Sequence, residues 1–304
     1  MAFDDHGDGF LYGPDLYVTH DDGTTWSMSA QPGAVLSIEA LGTSVWMVES
    51  DCSHASGSSA CPLQLLESTD GGRTWTAAPL PPDATTTVGA TEESALGQTW
   101  LVRVSQTSAY VVSSPVPDQS GQPDTAPLWF TADGGASWSS RPASCGIEAL
   151  SAVLSVAPDG TLFVVCASQP SAGSQPKSTV RSTDGGLTWT VQSACPSVPS
   201  SSMTSCGEHP PSGGYLGAID AVSADQVFLV GGRSSLLASH DGGVTWQTVQ
   251  PLIGDTSDGT REVIFFTSSD GLVLGYNGND DDRATLWNTT DGGTSWTSLV
   301  PKLG

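Results

Sequence analysis

Lysine is nearly absent from this 304-residue chain. Lys177 and Lys302 are the only two, and with seven arginines they face 32 acidic residues. The net charge of −23 repels phosphate backbones and anionic lipid, so neither nucleic acid nor an acidic membrane surface is expected as a partner. Charged residues make up only 13% of the chain, too few to argue salt adaptation, and the acidity reads as a solubility device. No apolar run approaches the roughly 18 residues of a membrane span, so no direct membrane insertion is expected. No secretory leader is legible, and any export signal or anchor is expected upstream. A phosphate-cradling loop, a nucleophile elbow and a metal-binding helix motif are all missing. The histidines His6, His20, His54, His209 and His240 are dispersed.

There is no CxxC, and no tetrad spacing that would suit zinc. The six cysteines instead sit close together in twos: Cys52 with Cys61, Cys145 with Cys166, and Cys195 with Cys206. Six cysteines permit 15 pairings, so this connectivity is inferred from proximity. An even count in local pairs points to an oxidising compartment. With the Lys-poor, Asp/Ala/Gly/Thr-rich composition, it predicts an extracellular or cell-surface bacterial protein.

What the chain has is one octet written six times. Ser68-Thr69-Asp70-Gly71-Gly72-Arg73-Thr74-Trp75 is the type copy, and the others centre on Asp21, Asp133, Asp184, Asp241 and Asp291. Each closes on a tryptophan: Trp26, Trp75, Trp138, Trp189, Trp246 and Trp296, at steps of 49, 63, 51, 57 and 50 residues. A fixed motif at a period near 50 signals a repeat architecture. The octet reads as a tight hairpin. Its aspartate accepts backbone N–H groups ahead of it, a glycine two residues on supplies positive φ, and the indole covers the neighbouring repeat.

This pattern resembles the Asp box, or BNR repeat, of β-propellers, a superfamily that includes sialidases, sortilin-type receptors, xyloglucanases and a photosystem II assembly factor. The resemblance covers the whole chain and implies that each octet joins the third and fourth strands of a blade. The expected fold is all-β, a six-bladed propeller of four-stranded antiparallel blades in one domain spanning 1–304. The blades fall at about 1–33, 34–80, 84–140, 146–193, 215–250 and 261–300. Architecture is what the resemblance implies, since one such fold hosts many chemistries.

Along the chain, Met1-Ala2-Phe3 reads as the end of an inner strand. In the third blade Trp100-Leu101-Val102 reads as the second strand, followed by a Ser/Pro-rich loop over 105–127. Connections between first and second strands are short everywhere. Long insertions fall between second and third strands or between blades, and all six cysteines map there. Alternating strand direction puts both kinds of long connection on one face, opposite the octets. Function favours variable loops on a rigid scaffold, so that face is the expected site.

Candidate chemistry follows. The octet aspartates belong to a fixed turn and read as structural. A sialidase needs converging arginines, and Arg103, Arg181, Arg233, Arg261 and Arg283, spread over blades three to six, could in principle converge. The Phe/Tyr-Arg-Ile-Pro stretch usual near a sialidase start is absent. A glycosidase needs two carboxylates about 5 to 9 Å apart; Glu39 and Asp220 occupy equivalent inner-strand positions, with Glu148 and Glu262 at inner-strand starts. Against that stands the plainer reading of polar groups lining a channel. Trp129, Tyr215, Arg261, Tyr276 and Trp287 are the ligand-binding candidates, with interblade packing the competing role for the aromatics. Asp280, Asp281 and Asp282 offer hard oxygens to Ca²⁺ without the glutamate or spacing of a calcium loop; no other cofactor is expected. The expectation is a non-catalytic module, a monomer or part of a longer anchored protein, that binds a protein or polysaccharide. A sialidase- or xyloglucanase-like hydrolase is the alternative.

Overall fold

A computed structural model describes residues 1–4, 7–12, 15–21, 23–31, 33–50, 60–81, 85–87, 99–113, 128–146, 149–171, 173–194, 210, 213–230, 236–249, 260–276 and 284–299. The fold is all-β, a six-bladed β-propeller of four-stranded antiparallel blades, with no helix among the described residues. Residues 1–143 and 144–300 form two compact units holding three blades each.

In the first unit, blade one pairs Ala2–Phe3, Gly9–Tyr12, Leu16–Thr19 and Ser27–Ser29 in that order. Blade two pairs Ala34–Leu41, Ser44–Ser50, Ala60–Ser68 and Thr76–Ala78, with Thr85–Thr87 added beside residues 60–62. Blade three pairs Thr99–Arg103, Ala109–Ser113, Leu128–Thr131 and Ser139–Arg141. Trp100, Leu101 and Val102 therefore lie on its inner strand, not its second, and the supposed loop at 105–127 contains the true second strand. In the second unit, blade four pairs Ser151–Val156, Leu162–Ala167, Lys177–Ser182 and Thr190–Ala194. Blade five pairs Ile219–Ala221, Val227–Val230, Leu236–Ser239 and Gln247–Thr248. Blade six pairs Thr260–Phe265, Gly271–Tyr276, Ala284–Thr289 and Thr297–Leu299.

Second strands such as Leu162–Ala167 and Val227–Val230 are buried along their whole length, because a blade covered on both faces leaves no strand side for water. Their sequences accordingly read as unbroken apolar runs rather than alternations. One core cluster joins Phe10, Leu16 and Val18 of blade one to Val35, Ile38, Val45 and Met47 of blade two. A second joins Trp46 and Leu65 of blade two to Leu101, Val111 and Trp129 of blade three.

The six octets fold alike. In blade four the Ser182 hydroxyl donates to Asp184 Oδ1 at 2.8 Å and accepts the Gly186 N–H at 2.9 Å. The Thr188 N–H and hydroxyl then donate to Oδ1 and Oδ2 of Asp184 at 2.9 and 2.6 Å. The same four bonds recur around Asp21, Asp70, Asp133, Asp241 and Asp291. These donors hold the carboxyls of Asp70 and Asp184 below the usual range, with the Thr74 and Thr188 hydroxyls as the largest cause. The first octet glycine also donates its N–H to the turn between inner and second strands, as Gly71 to Thr43 O and Gly242 to Asp225 O, both at 2.9 Å. Octets and short turns thus share one end of the blade, and the longer connections share the other.

Candidate functional site

Inner strands of neighbouring blades do not pair as sheets; side chains stitch them. Asp220 lies opposite Phe228, as Ser155 lies opposite Phe163 and Glu39 opposite Trp46. The Ser155 hydroxyl accepts the Ala221 N–H of blade five at 2.9 Å. One blade on, the Asp220 carboxylate accepts the N–H of Phe265, the residue in the position that Ala221 holds in its own blade. In blade two, Glu39 acts electrostatically on Arg103, which again occupies that position in blade three. Arg103 is buried, stacks 4.5 Å over the Trp46 ring, and donates to Ser44 O at 2.7 Å. Ser155 and Asp220 thus make the same interblade bond at one register, and at that register Glu39 acts on a side chain, Arg103, instead.

The half-buried Asp220 carboxyl is pushed up to about 7, mainly by burial, while N–H donors from Phe265 and Ala221 oppose the shift. A carboxyl with a folded-state pKa above its unfolded value near 4 holds its proton more tightly when folded. Its contribution is therefore present at low pH and is lost as pH rises from about 4 to about 7. Asp220→Asn keeps an oxygen for the Phe265 N–H and cannot ionise. The variant is expected to lose on the order of 2 kcal/mol less stability than the wild type between about pH 4.5 and 7.5, read from urea unfolding at each pH. Parallel stability profiles for the two proteins would refute this.

Glu262 stands half-buried on the inner strand of blade six. Glu148 lies outside the described residues, as do Asp280, Asp281 and Asp282, the candidate calcium ligands. Among the described residues no three His, Cys, Asp or Glu side chains gather as a metal site would require. Two ligand-binding candidates need correction. Trp129 is 7% exposed within the core between blades two and three, and Trp287 is 8% exposed. Each lies two residues before an octet hydroxyl on its strand, on the strand face that turns inward. Arg261 and Tyr276 fall on strand ends of blade six, with side chains outside the described set.

Tyr215 is different. It is 62% exposed on a backbone platform at the loop-bearing end of blades four and five. The Gly214 N–H donates to Gly173 O at 3.0 Å, and Ser174 bridges Gly214 in parallel. On the other side, the Leu216 N–H donates to Gln175 Oε1 at 2.9 Å. Lys177, 1% exposed, donates from Nζ to Gly214 O and to Gln175 O, each at 3.1 Å. Burial brings its ammonium down to about 8. The backbone that carries the exposed ring is thus held through both flanking residues before any ligand arrives, which lowers the ordering cost of binding. Neither Lys177 nor Gln175 was a sequence candidate. The Cys145–Cys166 disulfide, with Cα atoms 5.7 Å apart, closes the same end of blade four. Cys52, Cys195 and Cys206 lie outside the described residues, and Cys61 is described only as part of a strand.

No protein family and no curated protein matches the chain in sequence. Solved structures match it in fold. A structure of YCF48 bound to D1 peptide aligns over 98% of this chain and 78% of its own, with 18% identity and a TM-score of 0.55. A GH74 enzyme of Niastella koreensis aligns over 97% of this chain but 44% of its own, with 14% identity and a TM-score of 0.58. The α-L-arabinanase of Penicillium chrysogenum complexed with arabinobiose aligns over 91% and 84%, with 15% identity and a TM-score of 0.60. At such identities the likeness is one of fold.

Proposed function

We propose that this chain is an exported, non-catalytic propeller module whose six corners are Asp boxes. It binds a protein or polysaccharide through the loop-bearing face, with Tyr215 as an anchor. The observation that carries this reading is the use made of Asp220. Its carboxylate is engaged on the Phe265 N–H, the stitch that a serine makes one blade earlier, so its placement needs no substrate to explain it. Two fold neighbours add support, one bound to a peptide and one to arabinobiose. Export accords with the Cys145–Cys166 disulfide, since such bonds persist in oxidising compartments.

A second reading, a glycoside hydrolase, is favoured by one feature. A carboxyl near 7 has the protonation state of a general acid at neutral pH, and hydrolases stand among the fold neighbours. A panel of fluorogenic glycosides separates the two. The binding reading expects no turnover above background from the wild-type chain. Turnover that disappears in both Glu39→Gln and Asp220→Asn would overturn it and establish the hydrolase.

A further inference from the structure

Blade three carries a second surface, at its outer rim beside the octet. Trp26, Trp246 and Trp296 each donate their indole N–H to the carbonyl of their own octet glycine, at 3.0, 3.2 and 3.0 Å. Trp138 does not. Its indole N–H reaches Pro79 O of blade two at 3.0 Å. Beside it lies a groove of about 240 Å³ lined by Phe130, Asp133, Ser137, Trp138, Ser139 and Arg141. The Arg141 guanidinium sits 4.6 Å over the Phe130 ring and donates to Ser139 Oγ at 2.9 Å. The Asp133 carboxylate takes the Ser137 N–H on Oδ1 at 2.9 Å and the Ser137 hydroxyl on Oδ2 at 2.5 Å.

We propose that this groove is a binding subsite for one ring of a neutral sugar. Its lining combines an indole, a guanidinium, a carboxylate and two hydroxyls in a space of single-ring size. The indole suits the C–H face of a sugar ring, since a large aromatic surface gives contact area at low conformational cost. The planar guanidinium offers N–H donors to ring hydroxyl oxygens. Asp133, whose Oδ1 already takes the Thr131 hydroxyl and the Ser137 N–H, keeps Oδ2 as the edge that can take one ring hydroxyl beside the Ser137 hydroxyl. Charge disfavours an acidic sugar, which meets Asp133 and a chain of net charge −23. The subsite is built from residues of blade three alone, so it does not depend on the function proposed above.

The test is titration of the full chain with cellobiose, xylobiose and maltose, following tryptophan fluorescence and the indole ¹H–¹⁵N signal of Trp138. Recognition of one ring is expected at about millimolar Kd. Arg141→Ala should weaken binding tenfold or more. Trp138→Phe should do the same, with fold checked by urea unfolding because Trp138 also packs on the core of blades two and three. Val191→Ala, on the exposed outer strand of blade four, should leave the affinity unchanged. No response to any of the three sugars at tens of millimolar would overturn the proposal. So would binding that both Arg141→Ala and Trp138→Phe leave intact, or a response confined to charged sugars or peptides.

Discussion

Gly72→Ala is expected to destabilise the protein by about 3 kcal/mol, and Gly134→Ala by about 1 kcal/mol. Both glycines are in octets of the first unit, and both have left-handed backbone, with φ of 81° and 72°. An alanine in that conformation costs roughly 1–2 kcal/mol because Cβ crowds the following carbonyl. The difference lies in what the new methyl meets. At Gly72 an added Cβ falls 2.6 Å from Cε1 and 3.0 Å from Cζ of Phe10. Phe10 is wholly buried in the cluster between blades one and two, so its ring has no room to retreat, and overpacking adds roughly 1–3 kcal/mol. At Gly134 nothing lies within 4 Å. Urea unfolding of the two variants, each against wild type, measures the gap. Equal losses would mean that backbone conformation alone, and not close packing of one blade on the next, requires glycine at these corners.

That comparison also marks where sequence reading works. The six corners are legible because their mechanism is local: every partner of Asp184 in the turn lies within four residues. Blade count follows from the corners, and strand order follows wherever only four apolar runs separate one corner from the next. Blade three breaks this condition. Trp100 to Val102 and Ala109 to Ser113 look alike locally, and what decides their order lies far away in sequence. Leu101 exchanges hydrogen bonds with Ser37 across 64 residues, and Arg103 reaches Ser44 across 59.

The candidate site divides along the same line. Trp129 and Trp287 carried a usable signal, since each shares strand parity with the octet hydroxyl two residues on, and that hydroxyl is buried in both blades. Glu39 and Asp220 were correctly placed in equivalent register. What the sequence could not convey was that a serine fills the same post in blade four, which recasts Asp220 as interblade stitching. Lys177 and Gln175 left no local trace at all. Their partners, Gly214 and Leu216, are 37 and 41 residues away.

The Tyr215 platform leads to the other large effect. Replacing both Cys145 and Cys166 by alanine should cost about 3 kcal/mol, the closure entropy of a loop with sequence separation 21. The two cysteines are 4% and 5% exposed, so lost packing adds to that figure rather than offsetting it. The effect should be local as well as global. Cys166 sits one residue before Ala167, whose carbonyl accepts the Leu150 N–H at 2.8 Å. The next residue, Ser168, donates its N–H to Pro176 O at 3.1 Å and begins the loop that carries Gly173 and Gln175 under Tyr215. Without the bridge, the Gly214 and Leu216 amides should exchange with solvent faster than amides of the blade-five strand Val227–Val230. Urea unfolding gives the first quantity and hydrogen exchange the second. If stability falls while both amides keep their protection, the disulfide holds the blade and not the platform, and Tyr215 is pre-organised by Lys177 and Gln175 alone. If neither changes, the bond closes a loop that the native strands already fix.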